Sequence, residues 1–139
     1  MTRQSEPQHV RVPDDQLDYD ENLIFMYQGE RFTGVGYEDV PGRGLEEISY
    51  VDGLQEGPAR EWYPSGQLRR DTSFRANALH GHDREYREDG TLVSETVYEY
   101  GVRVRSRTFA QDGSVVKSFD LSEESSDFQR LQRRRAKYG

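Results

Sequence analysis

The chain has 139 residues, enough for one domain with a modest core, and 32% of them are hydrophobic. Cysteine is absent, which excludes disulfides, thiolate nucleophiles and cysteine-ligated metals. The formal net charge is −7, which disfavours nucleic acid and anionic membranes as partners and favours basic proteins, although it also suits solubility alone. The polar start and the lack of any run near the roughly 20 apolar residues that span a bilayer predict a soluble cytoplasmic protein.

An acidic segment, residues 1–22, comes first. Residues 1–24 contain six carboxylates and two arginines, Arg3 and Arg11. The stretch from Pro13 to Glu21 fits either a turn or a short helix. We expect this segment to precede the main fold.

Residues 23–120 contain a repeated unit, clearest in Gly57–Leu68 and Gly81–Leu92. Matched residues are 24 positions apart: Gly57 and Gly81, Arg60 and Arg84, Glu61 and Glu85, Gly66 and Gly90, Leu68 and Leu92. A constant period predicts stacked repeats, and arrays of this kind usually present a surface to a partner.

Each repeat has the pattern of a β-hairpin. Ala59 to Tyr63 is short and aromatic, Pro64 to Gly66 is typical of a turn, and Gln67 to Phe74 alternates between two faces. A second turn recurs every 24 residues, at Gly29, Gly53, Asn77 and Gly101. Asparagine is the residue other than glycine that best tolerates positive φ, so these turns should share one backbone geometry.

The two turn series predict a mostly β fold, an elongated antiparallel meander of about eight strands from about four hairpins. A single twisted sheet is favoured because there are too few apolar residues to line two facing sheets. The first copy is the least regular, as expected for a terminal repeat that closes an open edge.

The last segment, residues 121–139, is predicted to contain a short capping helix from Ser122 to Lys137. Acids come first and bases last, and Ser126 with Gln129 could form a capping box. Leu121, Phe128 and Leu131 would form its apolar side and cover the edge of the last strand. The basic end, Arg133–Gly139, is either the last turn of this helix or a peptide that is presented to a partner or folded back on the sheet.

An aromatic ladder with adjacent acids is the candidate partner-binding surface. It consists of Trp62, Tyr63, Tyr86, Tyr98 and Tyr100, together with Glu61 and Glu85. Tyrosine and tryptophan are favoured at protein interfaces. Trp62, Tyr86 and Tyr98 recur in phase, which favours packing between repeats, whereas Tyr63 and Tyr100 are out of phase and fit either role.

The residues do not assemble a catalytic, metal or cofactor site. Glu46 and Glu47 are consecutive, so on a strand they point to opposite faces and cannot act together. His80 and His82 flank a turn glycine, and the other histidine, His9, is distant. We therefore expect a protein that is not an enzyme.

The repeats resemble MORN repeats, in the bacterial form found in YwqK-family antitoxins. The matching residues are Gly57, Glu61-Trp62-Tyr63, Gly66 and Leu68, and their counterparts Gly81, Glu85-Tyr86, Gly90 and Leu92. The resemblance covers Gly29 to Phe119. It departs at Val104, where the two clearest copies have Gly57 and Gly81, and in the first copy, which has Tyr37 and a longer, glycine-interrupted linker. It implies an elongated β-meander that binds a protein along a grooved face.

Charge and resemblance together predict a non-catalytic antitoxin or immunity protein that covers a basic surface of a partner toxin. The alternative is a scaffold or carrier that presents its basic C-terminal peptide to an enzyme or assembly. The sequence leaves the partner's identity and the oligomeric state open.

Overall fold

A computed structural model describes residues 10–139, and its dominant element is one open sheet of nine strands. Eight of the strands form an antiparallel meander in chain order, and the first strand adds parallel to the outer edge of that meander. This arrangement confirms the predicted elongated single sheet. The strands of this sheet are β1 (Arg11–Pro13), β5 (Gly34–Val40), β6 (Gly44–Val51), β7 (Leu54–Trp62), β8 (Leu68–Arg75), β9 (Ala78–Tyr86), β10 (Leu92–Glu99), β11 (Val102–Phe109) and β12 (Val115–Asp120).

The N-terminal end of the molecule holds a compact core. A second sheet is formed by three short strands, β2 (Asp18–Tyr19), β3 (Phe25–Tyr27) and β4 (Glu30–Arg31). The buried side chains of Val12, Phe32 and Tyr50 join in one cluster, and partly buried residues of the small sheet pack against it. The acidic segment from residue 10 onward is thus part of the fold, while residues 1–9, including His9, lie outside the described range.

The first repeat does not continue the main sheet as a complete copy. Its turn at Gly29 joins β3 to β4 in the small sheet, whereas the equivalent turns at Gly53, Asn77 and Gly101 join strands of the main sheet. The terminal copy therefore closes one end of the molecule over its core.

The turn geometry predicted from the 24-residue period is confirmed. Gly29, Gly53, Asn77 and Gly101 have φ of 82°, 85°, 71° and 80°. Unlike glycine, Asn77 has a side chain that forms hydrogen bonds. It accepts one from the Gln55 amide (2.7 Å) and donates one to the Leu23 carbonyl (2.9 Å). This side chain therefore links the turn between β8 and β9 to the N-terminal end of the molecule.

A β-bulge explains the departure at Val104. Strands β8 and β9 pair Thr72 with Asp83 and Phe74 with Leu79, so β9 has extra residues between these two pairs. Gly81 is one of the extra residues, and its φ is 103°. Gly57 has the same positive φ in β7 (89°). In β11 the shift is smaller, from Arg105 to Arg103, so Val104 stands where no positive φ is needed.

The C-terminal helix α1 (Ser126–Tyr138) begins later than predicted, and the proposed capping box is wrong. The Ser125 hydroxyl accepts a hydrogen bond from the Phe128 amide at 3.1 Å, so Ser125 is the N-cap. The edge of the last strand is also left uncovered, because Val115 and Val116 are 55% and 62% exposed. The helix instead reaches the turn between β10 and β11, where Arg135 binds Glu99.

Candidate functional site

The strand register places two rows of charged residues on opposite faces of the main sheet. Glu46 lies in one row and Glu47 in the other, which confirms that these consecutive carboxylates face opposite ways. Directly paired residues on one face are Glu38, Glu46, Glu61, Arg70 and Glu85, here called the acidic row. Those on the other face are Glu47, Arg60, Asp71, Arg84, Glu95 and Arg107, here called the alternating row.

The acids and bases of the alternating row form ion pairs with one another or with residues at its two ends. Ion pairs within it join Arg60 to Asp71 (3.4 Å) and Arg84 to Glu95 (2.6 Å). Arg11 closes one end on Glu47 at 2.9 Å, and Asp120 closes the other on Arg107 at 3.0 Å. With its two end partners the row has four bases and four acids, so this face offers a charged partner little unbalanced charge.

The acidic row brings like charges together. Glu46 lies directly between Glu38 and Glu61, and Asp14 of the 3₁₀ turn Asp14–Gln16 adds a further carboxylate beside Glu38. Burial raises the pKa of Glu46, and the charge of Glu61 raises it further. Burial also raises the pKa of Asp14, with Glu38 as the next cause. Like charges directly opposite on a sheet are destabilising, so this row costs the fold stability.

Three arginines balance the acids only in part. Arg43 lies 3.4 Å from Glu46, and Arg69 lies 3.2 Å from Glu61. Arg70 makes two hydrogen bonds to the Asp83 carboxylate, at 2.9 and 2.7 Å. The carboxylates of this face are Asp14, Glu38, Glu46, Glu61, Asp83 and Glu85. From the N-terminal end to β9, six acids against three bases leave this face negative, whereas Arg103 on β11 and Lys117 on β12 add bases at its far end.

A groove follows this face and combines the acids with an apolar floor. Its volume is about 340 Å³, and Glu46, Glu61 and Arg70 stand along it. Five further lining residues are apolar or small: Ile48, Ala59, Thr72, Phe74 and Leu79. Arg60 also borders the groove, although it belongs to the alternating row and pairs with Asp71. A partner residue with an aliphatic stem and a cationic head, such as lysine or arginine, matches both parts of this groove.

The structure brings only some of the predicted binding residues into this site. Glu61 lines the groove, and Glu85 lies in the acidic row opposite Arg70. Trp62, Tyr86 and Tyr98 are half-buried. Trp62 lies opposite Leu68 and Tyr86 opposite Leu92, at equivalent positions of successive hairpins.

The two out-of-phase tyrosines have separate roles. The Tyr63 hydroxyl donates a hydrogen bond to the Tyr86 carbonyl at 2.7 Å. Arg87, the residue 24 positions later, donates in the same way to the Phe109 carbonyl at 2.8 Å. The Tyr63 hydrogen bond thus joins two successive repeats. Tyr100, in contrast, lies at the turn beside helix α1 and lines a different pocket.

Sequence reasoning missed several residues of the groove, above all Glu38, Glu46 and Arg70. Their proximity depends on which residues pair across strands, and shifts of one or two residues at the bulges alter that register. The hairpins gave a signal only to within one residue. Residues at equal distances from the centre of the Pro64–Gly66 turn would place Glu61 opposite Arg69, whereas the bulge beside Trp62 moves its partner to Arg70.

His80 and His82 each contact a polar group of the sheet. His80 Nδ1 accepts a hydrogen bond from the Tyr100 amide at 2.9 Å, and His82 Nε2 lies 3.3 Å from the Asp71 carboxylate. Within residues 10–139, three or more histidine or carboxylate side chains do not gather in a way that could hold a metal ion. The helix in this range is too short and too polar to cross a bilayer.

No protein-family model matches the chain, and no curated protein matches it in sequence. The fold and the groove define the class as an open, repeat-built β-sheet with one acidic face. The resemblance to MORN repeats and to YwqK-family antitoxins stays a prediction from the sequence.

Proposed function

We propose that the protein is a non-catalytic binding module of the antitoxin or immunity type, and that its acidic groove covers a basic surface of a partner toxin. The observation that carries the proposal is the acidic row, in which Glu46 lies between two other carboxylates on one face. The opposite face has balanced charge, so the groove face is the one that attracts a cationic partner.

The electrostatic cost of the row supports a binding role. Burial and, after it, the charge of Glu61 raise the pKa of Glu46, so its ionised form is less favoured than that of a free carboxyl group. Cationic side chains of a partner would relieve the repulsion between Glu46 and Glu61, so part of the binding free energy comes from strain already present.

The apolar floor of the groove supports a protein partner over a simple counterion. Ile48, Phe74 and Leu79 offer area for apolar contact beneath the charged rim. Interfaces that bind tightly usually combine a desolvated apolar centre with charged groups that steer the encounter. Half-buried Tyr98 lies on the same face of the sheet and would extend the contact.

The test is co-expression with the product of the adjacent gene, followed by pull-down and affinity measurement at low and high salt. A complex that weakens with salt is expected. Combined Glu46→Gln and Glu61→Gln substitutions should weaken it about tenfold, since two charge contacts are lost. The matched control is Glu47→Gln on the opposite face, which should leave the affinity within about twofold.

Absence of any complex at low salt would contradict the proposal. Equal weakening by Glu47→Gln would contradict the assignment of the groove face. The substitutions remove repulsion between like charges but also the ion pairs with Arg43 and Arg69, so urea denaturation of the double variant is measured alongside. The proposal requires weaker binding by a variant that remains folded.

The carrier alternative makes a different prediction. Arg134 and Arg135 hold the helix against Tyr100 and Glu99, which leaves Arg133 and Lys137 among the exposed bases of the tail. If the tail were the presented element, Arg133→Gln with Lys137→Gln would abolish partner binding, and the groove substitutions would not. The antitoxin proposal predicts the reverse.

A further inference from the structure

A second pocket lies where helix α1 meets the turn between β10 and β11. Its volume is about 460 Å³, within the range of about 300–1,000 Å³ that is usual for small-molecule sites. It is lined by Arg75, Ala76, Ala78, Tyr100, Arg134 and Tyr138 and shares no lining residue with the acidic groove. Two arginines and no carboxylate line it, although the chain as a whole carries a net charge of −7.

This pocket is lined by two aromatic rings and by the small side chains of two alanines. The Tyr100 and Tyr138 rings stack with centroids 5.9 Å apart and planes inclined at 29°. Tyr138 is 55% exposed, so much of its ring is open to a ligand. Ala76 and Ala78 leave space that larger side chains would fill. The shape suits a flat ring.

Positive charge surrounds the two rings. The Arg75 guanidinium lies 5.6 Å from the centroid of the Tyr100 ring, and the Lys137 ammonium lies 5.2 Å from that of Tyr138. Glu99 is the nearby carboxylate on β10, but Arg135 holds it through two hydrogen bonds of 3.0 and 2.6 Å. Arg134 uses one donor on the Tyr100 carbonyl and keeps others for a ligand.

Tyr100 occupies a strained position. Its φ is 49°, a conformation that bulky side chains seldom adopt. The equivalent turn residues are Gln28, Asp52 and Ala76, so this is the turn that carries an aromatic ring.

We propose that this pocket binds a small organic anion with a flat aromatic ring, and that nucleoside monophosphates are the class that fits. The base would lie against Tyr138 and Tyr100, and the phosphate would contact Arg75 and Arg134, since guanidinium groups pair with phosphate oxygens. Binding of this ligand does not depend on a protein partner, so the proposal stands or falls independently of the antitoxin function.

The test is a titration of the isolated protein with AMP, in which NMR amide chemical shifts are recorded at each AMP concentration. We expect shifts concentrated at Ala78, Tyr100 and Gly101, with weaker binding of adenosine and of inorganic phosphate. Arg75→Gln should weaken AMP binding by about fivefold or more because it removes a phosphate contact. Arg133→Gln, an exposed arginine of the same helix outside the pocket, is the control and should change it by less than about twofold.

A third variant separates ring recognition from charge. Tyr138→Ala should remove the preference for AMP over inorganic phosphate while leaving phosphate binding near its original level. No localised shift with millimolar AMP would overturn the proposal. Equal weakening by Arg75→Gln and Arg133→Gln would also overturn it, because diffuse charge would then explain the binding, and so would unchanged AMP binding by Tyr138→Ala.

Discussion

Glu46 and Glu47 are neighbours in the chain with opposite electrostatic surroundings. Glu46 faces Glu38 and Glu61 across the strands. Glu47 faces Arg60 and forms an ion pair with Arg11 at 2.9 Å. Two residues of one type, one position apart, thus have opposite effects on the stability of the fold because side chains on a strand alternate between faces.

Glu46→Gln is expected to raise the free energy of unfolding at pH 7 by about 0.5 kcal/mol, because it removes repulsion between like charges on adjacent strands. The pKa of Glu46 is raised in the folded state above its ordinary value of 4.5, so the folded protein binds the proton more tightly than the unfolded chain. Ionisation therefore lowers stability as pH rises from about 4.5 through the folded pKa. Urea denaturation at pH 7 and at pH 4.5 measures the difference, which should shrink at the lower pH.

Glu47→Gln is the control and should lower stability at pH 7 by about 0.5 kcal/mol, because it breaks a partly exposed ion pair. If both substitutions moved the urea midpoint in the same direction, the assignment of the two carboxylates to differently charged faces would be wrong.

At the level of elements, helix α1 shows how one hydrogen bond sets where a helix begins. The order of acidic residues followed by basic residues predicted this helix correctly, and its last turn extends to Tyr138. The start was misplaced because several serines precede it, and serine suits any N-cap position. The Ser125 hydroxyl, which accepts from the Phe128 amide, selects the start.

Ser125→Ala should destabilise helix α1 by about 1 kcal/mol, the usual cost of losing a serine N-cap. The measurement is amide hydrogen exchange across the helix, where protection in the first turns should fall. Ser126→Ala is the matched control, and it should leave exchange nearly unchanged since alanine is a good helix former. Greater loss of protection in Ser126→Ala than in Ser125→Ala would restore the capping box predicted from the sequence.

Across the whole molecule, the apolar core is concentrated at the N-terminal end. Tyr50 is 4% exposed and lies with its ring centroid 4.8 Å from that of Phe25 and 5.6 Å from that of Phe32. Tyr98, two hairpins away on the same sheet, is half-buried. The last strand has two exposed valines. Stability should therefore decrease along the array toward its C-terminal strand.

Tyr50→Ala should lower the free energy of unfolding by about 3 kcal/mol, since it empties part of the aromatic core. Tyr98→Ala should cost roughly half as much because solvent already reaches its ring. Urea denaturation of both variants tests the comparison. Equal losses would mean that the repeats share one continuous core.

The amino-acid sequence determined the repeat period, the two series of turns and the positive φ at Asn77, because these properties depend on local backbone preferences of a few residues. It also determined that Glu46 and Glu47 face opposite ways. Only the tertiary structure decided which carboxylates are neighbours, since bulges set the register between strands. It likewise decided that the N-terminal segment closes a core and that helix α1 reaches Tyr100, because these contacts join residues far apart in the chain.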